Sequence, residues 1–383
     1  MVQYSSKLGL NAITPPESIC ILRLSAIGDV CHAVAAVQAI QRYYPAAQIT
    51  WILGKVEAML LKDLPGVEFI IFDKKCGLKA YRNLQHSLQG RQFDVLLHMQ
   101  VALRANIASL VIKAKRKIGF DKARAKELHG LFMRESIEAQ SKAHVLEGFA
   151  AFARKIGVPF LQNAADKPQW QMPIAEADIA WAETTLQSEQ ALQLNRDRIK
   201  RDKSHADNHR GFLVICPAAS KAERNWLAER YAAVADYATK LGFQVVLCGG
   251  PTAMEQQLRD DIVGYAQASV VDLVGKTNLK QLLAILKTAA VVIAPDTGPA
   301  HMAVTVGTPV IGLYAHSNPA RTGPYLYQHY VVEVYHQALL QQTGKTAAEQ
   351  KFGKRVKGEH LMANIQIAQV TTMLDTVIKQ QGL

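Results

Sequence analysis

The chain has 383 residues, 49% of them hydrophobic, with a formal net charge of +12 and a pI near 9.4. That length exceeds one comfortable core, so two domains are expected, and the charge favours acidic partners (nucleic acid, anionic lipid or phosphorylated substrates) without choosing among them. Its five cysteines, Cys20, Cys31, Cys76, Cys216 and Cys248, have no CxxC spacing, which argues for a reduced cytosolic chain and against a disulfide or zinc framework. No apolar run approaches the ~20 residues of a membrane span, and the start MVQYSSKLGLNAITPPES has no signal core. The expected location is therefore cytoplasmic, at most peripheral to a membrane.

After Pro15-Pro16, Ser18 to Leu24 reads as a short buried strand. The loop Ser25-Ala26-Ile27-Gly28-Asp29 follows, then a helix in which Val30, Val34, Val37 and Ile40 recur at helical spacing. Asp29 thereby falls at a helix start beside the carboxyl end of the first strand, where open α/β sheets bind ligands. Further strands are predicted at Gln48 to Leu53, Val67 to Phe72 and Phe93 to Met99, an alternation that gives a parallel sheet covered by helices. His98-Met99-Gln100 leads into the helical stretch ALRANIASLVIKA. The run Lys113 to Lys126, with Lys115, Arg116, Lys117, Lys122, Arg124 and Lys126, suits a solvated surface better than a site. A helix spans His144 to Ile156. The polar, proline-containing Gln162 to Pro173 is a linker, which sets a first domain over 1–172 and a second over 173–360.

A helix from Ala175 to Leu192 opens the second half, and the charged Asn195 to Arg210, with Ile199 its single large aliphatic residue, reads as a mobile surface loop. Strands at Phe212 to Cys216, Gln244 to Cys248, Val270 to Leu273, Val291 to Ala294 and Pro309 to Leu313 alternate with helices at Leu227 to Leu241, Ala253 to Ala266 and Leu279 to Thr288. Two doubly wound halves imply a cleft. Lys345 to Lys357 is a second basic patch. An amphipathic helix over about Leu361 to Gln381, within a terminal segment 361–383, is expected to pack back on the N-terminal domain.

Val291 to Tyr314 (VVIAPDTGPAHMAVTVGTPVIGLY) is the most informative stretch: strand, loop, helix, strand. Pro299 suits a first helical turn, because its missing N–H would have had no intrahelical partner, and Gly298 lets the backbone come close to a ligand. Free amides at such a start attract phosphate. The same residues also fit a turn whose Asp296 and Thr297 merely cap the helix. Three more strand-end loops belong to this half: Pro217 to Trp226, Gly249 to Thr252 with Glu255 just beyond, and Val274 to Thr277. Ser220, Lys221 and Arg224 are of the kind that donates to phosphate oxygens. Neither GxGxxG nor GxxxxGK[ST] occurs, which weighs against a dehydrogenase and a P-loop enzyme and leaves a diphosphate-bearing ligand held by several loops.

Taken together these segments resemble the ADP-heptose:lipopolysaccharide heptosyltransferases, glycosyltransferases of family 9 with the GT-B architecture. The resemblance covers about Ile19 to Tyr325. It runs through LRLSAIGDVCHAVAAVQAIQRYYP, FDVLLHMQVALRANIASL, IGFDKARAKELHGLF, HVLEGFAAFARKIG, PAASKAERNWL, VVLCGGP, DLVGKTNLKQLLAIL and, most specifically, APDTGPAHMAVTVGTPVIGLY. HSNPARTGPY is similar to the loop that closes near the nucleotide in relatives. Where the family often has a lysine before the tryptophan, this chain has Arg224-Asn225-Trp226, a fork of donors in place of a point charge. Ala219-Ser220 leaves one hydroxyl where relatives often have threonines.

The resemblance implies an α/β protein of two Rossmann-like doubly wound domains facing across a cleft, and an inverting transfer of heptose from ADP-heptose to Kdo of the lipopolysaccharide inner core. It implies no cofactor and no metal. Asp29 becomes the catalytic base; a helix start favours its ionised form, so it is a weak base that accepts the proton late. On the donor side stand Ser220, Lys221, Arg224, Glu255 as the ribose-binding acid, Asp296, Thr297, Gly298, Pro299 and His301, the last as ligand or as local packing. Gln100, Arg104, Lys122 and Arg124 would meet an anionic acceptor, Kdo-lipid A or a phosphorylated Kdo, with the other cations attracted to the anionic inner-membrane surface at its cytoplasmic face. Two alternatives stay open: a GT-B enzyme using another nucleotide sugar, and a basic nucleic-acid-binding protein. The second lacks an aromatic stacking series or a recognition helix, so no nucleic acid is expected.

Overall fold

The computed structural model describes residues 15–125, 129–163, 165–200 and 210–383, with backbone alone for 189–200. The first half contains strands β1 (Ser18–Leu22), β2 (Gln48–Gly54), β3 (Val67–Phe72), β4 (Phe93–His98), β5 (Ala114–Gly119) and β6 (Glu135–Ser136). Helices α1 (Ile27–Tyr43), α2 (Lys55–Leu61), α3 (Leu78–Ser87), α4 (Leu103–Ala108), α5 (His129–Phe132) and α6 (Val145–Lys155) connect or follow them. Helix α7 (Glu176–Lys200) leads to β7 (Phe212–Ile215), β8 (Gln244–Gly249), β9 (Val271–Val274), β10 (Val291–Pro295), β11 (Val310–Tyr314) and β12 (Val332–Glu333). With these run α8 (Ala228–Lys240), α9 (Ala253–Tyr265), α10 (Leu279–Thr288), α11 (Gly298–Thr305), α12 (Pro319–Thr322), α13 (Tyr335–Thr343) and α14 (Ile367–Gln381).

The sheet orders are β3-β2-β1-β4-β5-β6 and β12-β11-β10-β7-β8-β9, the second being the first order read from its other edge. Every pairing is parallel. Parallel strands have helices on both faces, and β10 is accordingly buried along its whole length. Each half reverses winding direction between its first and fourth strands, and the loops after β1 and β10 open beside those two switch points. Both loops singled out in the sequence thus lie where such sheets bind ligands.

Three expectations are corrected. The basic run over Lys113 to Lys126 is not simply solvated: it contains β5, an interior strand whose Lys-Arg-Lys sequence hides the strand alternation. Ion pairs Lys115 Nζ–Asp94 Oδ1 (2.7 Å) and Arg116 Nη2–Glu135 Oε2 (2.7 Å) engage two of its cations, and Lys117 Nζ donates to the Ser109 carbonyl at 2.9 Å. Lys126 lies outside the described residues. The predicted loop over Asn195 to Arg210 is helical backbone as far as Lys200, and 201–209 lie outside the described residues.

The third correction concerns the C-terminal helix, which packs on the second half and not on the first. Val370, Leu374 and Val377, spaced to share one face, are buried with the core under β11, β12 and α8. Burying three such side chains stabilises by roughly 1.5–3 kcal/mol each. Trp226 Nε1 donates to Ile365 O at 3.1 Å and Arg230 Nη1 to Ala363 O at 2.6 Å, which tie the preceding turn to the same half.

Candidate active site between two helix starts

On the second half, β10 ends at Pro295 and the chain turns through Asp296 and Thr297 into α11. Thr297 is the N-cap residue, with extended backbone, yet its hydroxyl makes no cap bond; Pro299 occupies the first turn. This helix start therefore lacks a side-chain cap, the condition under which its amides can take an anion. The Asp296 carboxylate faces elsewhere, with Oδ2 3.9 Å from Arg224 Nη1 and Oδ1 3.8 Å from His301 Nε2. Burial pushes its pKa up, but His301, the Ser317 hydroxyl and the Arg224 charge outweigh that and the net direction is down.

Arg224 links two loops. Its Nη2 donates to Ser220 Oγ at 2.6 Å, while Nη1 lies 3.5 Å from the Asp296 backbone oxygen. Lys221 is exposed, 3.6 Å from Glu223 Oε1. Glu255 supports the glycine loop after β8, accepting from Gly250 N–H at 2.7 Å and Thr252 Oγ1 at 2.6 Å. A Cβ at Gly250 would stand 2.8 Å from Glu255 Oε2, so a side chain there would push the carboxylate off this loop.

The first half presents a different helix start. Asp29 is the third residue of α1, where Oδ2 accepts from Ala26 N–H at 3.3 Å and pairs with Arg23 Nη2. Arg23 also donates through Nη1 to Met99 O at 2.6 Å and lies 5.3 Å over the Phe149 ring, so the carboxylate is held by a guanidinium that is itself fixed. About a third of the Asp29 side chain (33%) remains exposed. Gln100 joins the same loop, its Oε1 accepting from Leu24 N–H at 2.7 Å and its Nε2 lying 3.4 Å from Ser25 Oγ.

Helices α1 and α11 pack against each other, and their starts meet at two glycines. A Cβ at Gly28 would fall on the His301 ring, and one at Gly298 would lie 3.0 Å from Ile27 Cγ2. Behind this contact runs a seam of histidines. His32, one turn beyond Asp29, has its ring 4.6 Å from His301 and 5.1 Å from His144, and His144 is 4.9 Å from Tyr325. Leu146 N–H donates to His144 Nδ1 at 3.1 Å, so the hydrogen is on Nε2, which donates to Gly323 O at 2.9 Å and joins the two halves. Burial pushes His144 down to about 3 and His32 well below its usual value. Both His32 ring nitrogens and His301 Nδ1 are buried without a hydrogen-bond partner among the described residues.

The remaining acceptor candidates differ in freedom. Arg104 and Lys122 are exposed. Arg124 is committed within the protein, pairing with Asp121, donating to Gln140 Oε1 at 2.9 Å and Glu138 O at 3.3 Å, and lying 5.3 Å over Phe120. Sequence reasoning missed Arg23, Gly28, His32, His144 and Arg321. Arg321, half-buried on α12, is held below the ordinary arginine value by burial. The carboxylates of Asp29 and Asp296 act against that shift, while Arg355 and Arg23 add to it. The i, i+3 spacing from Asp29 was the one local signal, and it marks His32; His144 reaches the seam through a bond spanning 179 residues.

The sequence model of glycosyltransferase family 9 (heptosyltransferase) matches residues 81–352. The chain is 43% identical over 355 residues to the lipopolysaccharide core heptosyltransferase OpsX of Haemophilus influenzae, a match covering 93% of this chain and 95% of that protein. Its fold is similar to that of a family 9 glycosyl transferase from Veillonella parvula, with TM-score 0.73, 20% identity and coverage of 95% and 97% of the two chains. It is also similar to E. coli ADP-heptose lps heptosyltransferase II, with TM-score 0.66, 19% identity and coverage of 96% and 100%. A match of this extent, on two doubly wound halves meeting at ligand-type loops, means that the chain belongs to glycosyltransferase family 9, the heptosyltransferases.

Proposed function

We propose that this enzyme transfers heptose from ADP-heptose to a Kdo residue of the lipopolysaccharide inner core with inversion, residues 1–172 binding the acceptor and 173–360 the donor. The observation that carries the reading is the pairing of two helix starts: one without a side-chain cap beside Ser220 and Arg224, the other carrying the positioned, part-exposed Asp29. The names of the relatives, a lipopolysaccharide core heptosyltransferase and an ADP-heptose heptosyltransferase, supply the substrate class.

In this reaction a Kdo hydroxyl oxygen attacks the anomeric carbon from the face opposite ADP. The carbon–oxygen bond to ADP breaks, and its electron pair moves onto the β-phosphate. The hydroxyl proton passes to Asp29 through Oδ1, the oxygen that Arg23 and Ala26 N–H do not hold. Charge growing on the diphosphate is met by the amides at Thr297 and Gly298 and by Ser220, Lys221 and Arg224, groups already in place before the bond breaks. Glu255 keeps lone pairs free for the ribose hydroxyls, and Gln100, Arg104 and Lys122 face the acceptor from the first half. The acceptor is linked to lipid, so the enzyme works at the anionic cytoplasmic surface of the inner membrane. The test is ADP release by the full chain, which must require ADP-heptose and a Kdo-terminated acceptor together and give a product heavier by one heptose. Stronger thermal stabilisation by UDP or GDP than by ADP would overturn it in favour of another nucleotide sugar.

A further inference from the structure

Among the described residues of the first half, one group of exposed large apolar side chains gathers around α4. Leu103, Ile107 and Leu110 are 46%, 39% and 63% exposed, Leu131 on α5 is 79% exposed, and Leu78 at the start of α3 is 80% exposed. The first three recur at i, i+4 and i+7 along α4 and the 3-10 turn Ser109–Val111, so they share one side. Helix α5 packs against α4, α3 packs against that turn, and the Tyr81 hydroxyl lies 3.5 Å from Arg104 O, which gathers these elements on one surface.

The stretch that carries α3 and α4 is dominated by one sign of charge. Between Lys74 and Lys117 the sequence has ten Lys and Arg but a single acid, Asp94, which is already paired with Lys115. Lys74, Lys75, Lys79, Arg82, Arg104 and Lys113 are exposed and form no ion pair among the described residues. Exposed leucines ringed by unpaired cations match a bilayer whose surface is anionic and whose interior is apolar. A two-fold contact between copies would instead set these cations against their own equivalents.

We infer that the face formed by α3, α4 and α5 docks on an anionic lipid bilayer, leucines in the acyl boundary and lysines among the headgroups. This rests on the reading that the acceptor is lipid-linked, and it deepens that reading by naming the surface. The face is built from segments that follow β3, β4 and β5, leaving the carboxyl ends of the strands where Asp29 and Gln100 also lie. A lipid-anchored acceptor therefore reaches the base without leaving the membrane.

The test is co-sedimentation of the full chain with vesicles of phosphatidylethanolamine and phosphatidylglycerol, against vesicles of phosphatidylcholine. The wild type is expected to bind the anionic vesicles preferentially and to lose binding as salt rises. Leu110→Glu with Leu131→Glu is expected to lower partition at least tenfold. Lys79→Glu with Lys113→Glu should lower it by at least the roughly fivefold per cation expected for a charge near the surface. Both variants should retain wild-type melting temperature and wild-type transfer to a water-soluble Kdo acceptor. Equal partition of variants and wild type would overturn the assignment, as would equal binding of the wild type to both vesicle types. Conversion of a dimer to a monomer by the leucine variant, with vesicle binding unchanged, would assign the face to a second copy instead. Failure of wild-type transfer to the soluble acceptor while vesicle binding persists would count against the proposed activity and leave the surface standing.

Discussion

The two halves wind their sheets in the same order, yet they use the helix after the switch point in opposite ways. At α1 the first turn is filled by the chain's own carboxylate, Asp29, satisfied by Ala26 N–H and Arg23. At α11 the first turn holds Gly298 and Pro299, Thr297 makes no cap bond, and the nearby Asp296 is half-buried beside Arg224 and His301. A doubly wound sheet offers a positive helix end each time it turns. On the proposed function, one of these ends positions an acid that can take a proton and the other is left for a leaving anion.

The hardest test of that division is Asp29→Asn, which keeps the size of the side chain and removes the proposed base. Turnover is expected to fall by about 10²–10⁴ with ADP-heptose affinity unchanged. Near-normal turnover would mean that the two starts do not divide the chemistry this way. Arg224→Ala comes next. It removes the cation beside Ser220 and strips a counterion from the half-buried Asp296, so ADP binding and turnover should both fall, turnover by roughly 10²-fold. Arg224→Lys should recover part of the loss, because a point charge replaces a fork that reaches two loops. Calorimetric titration with ADP alongside initial rates separates the two effects.

A smaller effect probes the contact between the starts. Gly28→Ala puts a methyl on the His301 ring, whereas Gly298→Ala meets Ile27 Cγ2 at 3.0 Å and needs only a slight shift. Overpacking of this kind costs about 1–3 kcal/mol, so if the starts must meet for transfer, turnover of Gly28→Ala falls roughly 5- to 150-fold and Gly298→Ala falls less. A larger radius of gyration for Gly28→Ala in solution scattering would show the halves held apart. Equal rates for both variants would show that the contact is incidental.

Much of this was legible in the sequence because the informative features are local. Asp29 follows a buried strand and opens a periodic helix; Asp296 to Pro299 is a strand end, a turn and a first helical turn within a few residues. What was missed depends on distance or on masking. The cations of β5 conceal its alternation, and β6 and β12 are two residues each, too short to show a period. Arg23 belongs to the expected first strand, but nothing in its neighbours says that it reaches Met99, 76 residues on. The C-terminal helix shows its apolar face in the sequence, while the half it packs on is chosen by Trp226 and Arg230, whose bonds to Ile365 and Ala363 span well over a hundred residues.

The last contrast between the halves is in their response to acid. His144 and His98 are held at about 3 and His129 at about 4, all by burial and all in the first half. An unfolded histidine takes up its proton near 6.5, so between that value and the folded ones the unfolded chain binds protons that the folded chain refuses. Their contribution is therefore complete above pH 6.5 and is lost as the pH falls below it, by on the order of 1 kcal/mol per pH unit for each histidine. Asp296 in the second half is depressed from 3.8, so its contribution is present above 3.8 and is lost only below that. Between pH 6.5 and 4 the first half should loosen before the second. Hydrogen exchange at pH 5 is expected to quicken in β4 and α6 ahead of β7 and β10, and His144→Gln, which removes the titrating ring that bonds Gly323, should flatten the fall of melting temperature with acid. Earlier exchange in β7 and β10, or an unaltered slope in that variant, would place the acid-sensitive element elsewhere.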